Sequence, residues 1–171
     1  MSAIPAEIDQ NVLVTADGYV RLVDALESLR TLGRAQLVDR FREAREDADP
    51  ENPLLFELLE EQAQLEARIG LLEAQVAAAR VVEPAADGSA GIGSAVQVRY
   101  ADGGELAEYV LVGPVESDAA SGRVSVEAPV GRALLGARTG DVVIVETPRR
   151  TERLEILGVD NGAPPAATTA A

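Results

Sequence analysis

The apolar residues in the first half of the chain fall on two helical stripes. Tyr19, Leu22, Leu26, Leu29, Leu37 and Phe41 form the first, interrupted at Gly33. Leu58, Gln62, Leu65, Ile69, Leu72, Val76 and Ala79 form the second, and they alternate steps of three and four, the spacing of a coiled-coil seam. Between the stripes lies Asp47-Ala48-Asp49-Pro50-Glu51-Asn52-Pro53. A proline inside a helix removes an amide donor and clashes with the preceding turn, so two so close together force the chain to turn. The pattern predicts two helices, each roughly 45 Å long at about 30 residues. They pack antiparallel over residues 13–81, with an acidic tip at 47–53.

The period then changes. Residues 82–93 (VEPAADGSAGIG) are small and rich in Gly and Ala, the composition of a linker. From residue 94 the apolar positions alternate. Ala95 to Tyr100 reads as a strand, Asp102-Gly103-Gly104 as a turn, and Leu106 to Val112 as the returning strand. Arg123 to Glu127, Asp141 to Thr147 and Leu154 to Val159 supply further strands. Val130 to Leu135 reads as one short helix closed by Gly136. The expectation is an α+β chain: an amino-terminal antiparallel helical hairpin, then a compact, mainly antiparallel β domain with one short helix over 94–160. Residues 1–12 are expected to be flexible, and 161–171, with paired prolines followed by Ala and Thr, a disordered tail.

Composition narrows the chemistry. The 171 residues contain no cysteine and no histidine. That excludes disulfides, thiolate and imidazole metal sites, cysteine nucleophiles and Ser-His catalysis. Ser89, Ser94, Ser117, Ser121 and Ser125 have no histidine to activate them. A metal would be held by oxygen, which points to Mg²⁺ or Ca²⁺. The net charge of −14 argues against nonspecific binding to nucleic-acid backbones and permits a partner with a basic surface. Residues 1–10 lack the basic and apolar regions of a signal peptide, and no apolar run reaches the roughly 18–20 residues of a membrane span. A cytoplasmic protein that binds no membrane is expected.

Three stretches resemble the Gre transcript-cleavage family of bacterial transcription factors. Leu13 to Leu22 (LVTADGYVRL) resembles the family opening, and Arg34 to Glu46 (RAQLVDRFREARE) its ascending helix. The most specific is Val124-Ser125-Val126-Glu127-Ala128-Pro129-Val130-Gly131-Arg132-Ala133-Leu134-Leu135-Gly136, which continues through Gly140-Asp141-Val142-Val143 to Thr147-Pro148. It is similar to the family's Ser-Pro, Gly-Arg-Ala-Leu-Leu-Gly and Gly-Asp signature, in order and at matching spacing. The resemblance implies a coiled-coil hairpin and a carboxy-terminal domain of FKBP-like fold. It further implies that the globular domain docks at the rim of the RNA polymerase secondary channel while the hairpin enters it. There, two tip carboxylates help hold a second Mg²⁺ against a backtracked transcript. The partner so implied is bacterial RNA polymerase, with nucleic acid of the transcription complex met only indirectly. No intrinsic cofactor is implied beyond Mg²⁺ shared with the polymerase. A monomer is expected, since the hairpin satisfies its own seam.

The sequence departs from the family pattern at the tip. Cleavage-competent members carry Asp-Leu-x-Glu-Asn-x-x-Tyr, whereas this chain reads Asp49-Pro50-Glu51-Asn52-Pro53-Leu54-Leu55. Asp49 and Glu51 then stand where the two acids belong, two positions apart instead of three and across a proline that fixes φ near −65°. The aromatic position falls to Leu55, and Asp47 is a third candidate ligand. The expectation is a regulator that occupies the channel and modulates or inhibits synthesis without efficient cleavage. The alternative is a factor that stimulates cleavage through Asp49 and Glu51. Taken alone, the acids also read as a solvated helix end complementing the helix dipole.

The docking stretch reads Glu127-Ala128-Pro129, with the family's charge and proline but not its hydroxyl. Arg132 either meets an acidic polymerase surface or caps the short helix. A nucleoside diphosphate kinase regulator is a related reading, but its arm is shorter. From other classes come an Mg²⁺-dependent phosphohydrolase, a peptidyl-prolyl isomerase and a coiled-coil scaffold or chaperone. Fold alone does not transfer the isomerase activity.

Overall fold

The computed structural model describes residues 12–46, 53–148 and 150–162. The chain divides into two compact units, Tyr19–Ala78 and a second formed by the segment up to Gly18 together with everything from Ala79 onward.

The first unit is the expected hairpin. Helix α1 (Ala16–Ser28) runs through a π-helical turn, Leu29–Gly33, into α2 (Arg34–Glu46), and α3 (Pro53–Ala78) returns. The π turn lies where Gly33 interrupts the first stripe. A Cβ on Gly33 would come within 3.1 Å of the Leu65 side chain, so glycine lets the two helices approach there. Leu37, Ala44 and Leu58 are buried together, with Phe41, Leu55 and Leu65 packed around them. Ile69 is also buried, while Leu72 and Val76 are half-buried. The predicted seam is therefore the buried one, with Gln62 exposed within it. Pro53 opens α3, a position whose missing amide costs no helical hydrogen bond.

Ion pairs cross the hairpin between Arg30 and Glu73 at 2.5 Å, between Arg34 and Glu66 at 2.7 Å, and between Arg40 and Glu61. Position falls on α3 as it rises on the other arm, which fixes the antiparallel sense. The hydrogen bond from Arg34 holds the Glu66 carboxyl below its ordinary value. These pairs are exposed, so solvent screens them and each contributes little. The apolar seam carries the stability.

In the second unit a five-stranded curled sheet has the order β5-β4-β3-β7-β6. The strands are β3 (Ala95–Tyr100), β4 (Leu106–Val112), β5 (Arg123–Ser125), β6 (Val142–Glu146) and β7 (Thr151–Asp160). Pairing is antiparallel except between β4 and β5, which run parallel. Val96, Val98, Leu111, Val145, Leu154 and Ile156 form the core, and Leu134 from helix α4 (Pro129–Leu134) packs onto it. Gly136 follows α4 with φ of 80°, the left-handed residue expected to close the helix.

Two features go beyond the sequence pattern. Strand β1 (Val12–Val14) pairs in parallel with β2 (Ala79–Val81), so the segment before the hairpin joins the segment after it. Residues 82–93, marked as a linker by composition, are packed: Ala90 and Ile92 are buried, and Ala90 exchanges main-chain hydrogen bonds with Gly136 and Ala137. The Asn161 side chain donates to the Ala85 and Ser89 carbonyls and accepts from the Ser94 hydroxyl, fixing this stretch against the end of β7. Of the expected flexible start (1–12) and disordered tail (161–171), Val12 instead pairs in β1 and Asn161 is held by these bonds, while residues 1–11 and 163–171 lie outside the described residues.

Candidate functional site

Two places carry the functional expectations. Of the tip, the described structure contains only the helix ends on either side, Glu46 and Pro53. Asp47, Asp49 and Glu51 lie outside the described residues. What the structure supplies is their mounting. Ala44, two residues before the end of α2, is 3 % exposed, and Leu58, near the start of α3, is fully buried. The seam thus stays packed up to the helix ends that flank the turn. Two acids on the first turns of α3, Glu57 and Glu60, are exposed, whereas Glu61 is engaged by Arg40. Phe56 is the most exposed large apolar side chain among the described residues, at 72 %. Among the described residues no group of three or more acids is placed to hold a metal ion.

The other place is the loop from β5 into α4, and here the structure gathers all four expected residues into one turn. The buried Ser125 hydroxyl accepts the Glu127 amide at 3.1 Å, and the Ser125 carbonyl accepts the Ala128 amide at 3.0 Å. Ala128 sits at the helix N-cap in extended conformation without a capping side chain, and Pro129 begins the helix. Arg132 then reaches back, its Nε donating to the Glu127 carbonyl at 2.7 Å. Of the two roles weighed for Arg132, this bond is local: the guanidinium closes the loop on itself. Its two terminal nitrogens have no partner among the described residues and remain available. Glu127, Pro129 and Arg132 are exposed and Ala128 is half-buried.

Gly131 is what allows this turn to lie on β5. A Cβ there would stand 1.9 Å from the Ser125 carbonyl oxygen, so no larger residue fits without moving the main chain. Ser125 was set aside in the sequence as a nucleophile; its role is to shape the loop. An Asx- or Ser-type turn two residues before a helix proline is the signal that marks such a hydroxyl.

A buried charge cluster, unforeseen in the sequence, lies elsewhere in the same unit. The Glu116 side chain is 2 % exposed. It accepts from the Thr15 amide at 2.8 Å, the Thr15 hydroxyl at 2.6 Å, the Gly113 amide at 3.3 Å and the Arg123 guanidinium at 3.0 Å. Thr15 in turn caps the first turn of α1 by accepting the Gly18 amide. The Thr and Gly of the family-like opening thus have a structural task, to seat the helix start on Glu116. No helix among the described residues is long and apolar enough to cross a membrane.

Comparison with known proteins covers both units. Residues 12–81 match the family described as transcription elongation factor, N-terminal, and residues 85–161 match transcription elongation factor, GreA/GreB, C-term. The chain is 40 % identical over 154 residues to the transcription elongation factor GreA of Alkaliphilus oremlandii, covering 88 % of this chain and 97 % of that one. It is 38 % identical over 151 residues to GreA of Thermoanaerobacter pseudethanolicus, covering 86 % and 96 %. Among solved structures, the crystal structure of GreA factor homolog 1 from Thermus thermophilus is 29 % identical, with 88 % of this chain and 99 % of that chain covered and a TM-score of 0.40. With both halves of the chain matched in order, it belongs to the GreA/GreB family of transcription elongation factors.

Proposed function

We propose that this chain is a regulator of transcription elongation that binds bacterial RNA polymerase and has no catalysis of its own. The observation that carries this reading is that family membership spans both the hairpin and the sheet unit. In this reading the loop Glu127-Ala128-Pro129 with Arg132 docks on the rim of the polymerase secondary channel. The hairpin carries Asp47, Asp49 and Glu51 into the channel. An arm about 39 Å long, from the 26 residues of α3, suits delivery of charge to a site that a globular unit cannot enter. The protein works in the cytoplasm as a monomer.

The tip acids are an oxygen donor set without histidine or cysteine, which suits a shared Mg²⁺. The finer proposal is that they modulate or inhibit synthesis without efficient cleavage. It rests on the sequence spacing: Asp49 and Glu51 flank Pro50, one residue closer than in the cleavage pattern, and catalysis is sensitive to misplacements of about 1 Å. Stimulated cleavage through Asp49 and Glu51 is the competing outcome.

Polymerase binding is tested first. Core polymerase should retain the full-length chain, and Asp47, Asp49 and Glu51 replaced together by alanine should leave retention unchanged. Arg132→Glu with Glu127→Arg should weaken it by about tenfold or more. A scaffold with no polymerase partner would show no retention at all.

A further inference from the structure

One face of the five-stranded sheet is filled where α4 covers it and open elsewhere. Beside α4, Leu134 packs against the core strands. On that same face, β3 ends in Tyr100 and β4 presents Ala107 and Tyr109, and a cavity of about 470 Å³ opens above them, lined by no residue of α4. Its walls are the turn with Asp102 and Glu105 on one side and Arg150–Arg153 on the other. The volume lies within the range of small-ligand sites, about 300–1,000 Å³.

We propose that this cavity binds the guanidinium of an arginine side chain presented by a protein partner, held between the Glu152 carboxylate and the two tyrosine rings. The first support is that the site already holds such a group. Arg150 Nη2 lies 2.5 Å from Glu152 Oε1, yet the Arg150 side chain is 73 % exposed while that of Glu152 is 13 % exposed. The carboxylate is built into the cavity; its cation reaches in from solvent. An incoming arginine can replace Arg150, which returns to water without leaving a buried charge unpaired.

The second support is the tyrosine pair. The hydroxyls of Tyr100 and Tyr109 are 2.5 Å apart, so one proton lies between them. The other hydroxyl proton has no acceptor among the described residues. It is placed to donate to a main-chain carbonyl of the segment that brings the arginine. The third support is the potential. Burial and the Tyr100 hydrogen bond hold the Tyr109 proton on, and the nearby carboxylates of Glu152 and Glu105 act in the same sense. A planar guanidinium both stacks on aromatic rings and pairs with a carboxylate through two parallel bonds, whereas an ammonium does only the second as a point charge.

The chain has three tyrosines and no tryptophan, so the site can report on itself. In the full-length chain with Tyr19→Phe, the only tyrosines are Tyr100 and Tyr109, so tyrosine emission arises from the cavity alone. N-acetyl-L-argininamide should change tyrosine emission saturably, and its neutral analogue N-acetyl-L-citrullinamide should not. Arg150→Ala should tighten binding several-fold. Every turn hydrogen bond of residue 150 is made by its main chain, so this variant keeps the turn. Glu152→Gln should weaken binding by about tenfold or more. Equal effects of the two probes, no saturable change, or weaker binding in Arg150→Ala would each overturn the proposal. If Glu152→Gln does not fold, Arg150→Ala decides alone.

Discussion

Gly18 lies directly against the Glu116 carboxylate: a Cβ on residue 18 would stand 1.7 Å from its Oε1. Residue 18, which belongs to the same compact unit as Glu116, is therefore glycine because a buried acid has taken the room of a side chain. That acid cannot move aside cheaply, since it is bonded to Thr15, Gly113 and Arg123.

Gly18→Ala should destabilise the chain by about 1–3 kcal/mol, the usual cost of overpacking. Glu116→Ala should cost about 3–5 kcal/mol, because it removes the carboxylate that pairs with the largely buried Arg123 and accepts from Thr15 and Gly113. The two changes should not add. In the Glu116→Ala background the new methyl group has room, so Gly18→Ala should cost little more than the helix already tolerates. Urea unfolding of the two single variants and the double variant measures this coupling directly, and strict additivity would show that the two residues do not compete for space.

Gly131→Ala tests the loop from β5 into α4 that is proposed to dock. The added Cβ meets the Ser125 carbonyl at 1.9 Å, and a main-chain atom cannot rotate away as a side chain can. The loop should shift off β5, with a loss of roughly 1–3 kcal/mol or more and reduced polymerase retention. Amide exchange at Glu127 and Ala128, whose N–H groups are bonded to Ser125, should accelerate in this variant before the rest of the sheet is affected.

The hairpin should be far more sensitive to its seam than to its ion pairs. Leu58→Ala removes a fully buried side chain and should cost about 2–5 kcal/mol, with loss of helical circular dichroism. Arg34→Ala removes an exposed, solvent-screened pair with Glu66 and should cost far less, and less still at high salt. A comparable loss in the two variants would mean that charge, not packing, holds the arms together.

Alkaline stability should depend on Tyr109. Its proton is held on by burial first and by the Tyr100 hydrogen bond second. The folded chain therefore binds that proton more tightly than the unfolded chain does. The resulting stabilisation is complete below about pH 10, the ordinary tyrosine value, and is lost as the pH rises through the folded value. In a tyrosinate absorbance titration, ionisation of Tyr109 should lag until the sheet unit unfolds, and Tyr109→Phe should remove the lagging step.

The hairpin and most strands were legible because their periods are long and regular. The steps of three and four from Leu58 to Val76 define the seam of α3, and the alternation of residues 95–100 and 106–112 gives β3 and β4 at the bounds observed. Strands β1 and β2 are three residues each, too short for a period, and they pair between distant parts of the chain. The Glu116–Thr15 bonds join residues 101 positions apart, and nothing local in either segment announces the other. Residues 82–93 look like a linker because Gly and Ala dominate, yet small residues are also what lets main chain lie flat on a sheet, as Ala90 does. At the candidate site, resemblance to the family's docking stretch singled out Glu127, Ala128, Pro129 and Arg132. It did not reveal that Ser125 and Gly131 shape their turn, since the first acts through a hydroxyl and the second through the side chain it lacks.

Transcription is the direct test of the central claim. Multi-round synthesis by the cognate polymerase would be measured with and without the full-length chain, beside a cleavage assay on backtracked complexes. Both would be repeated with Asp47, Asp49 and Glu51 replaced by alanine. The account predicts altered synthesis that the tip variant relieves, with little transcript shortening. Strong shortening that the tip variant abolishes would contradict the non-cleaving reading and return Asp49 and Glu51 to a cleavage role, and no effect on either assay would contradict regulation of the polymerase itself.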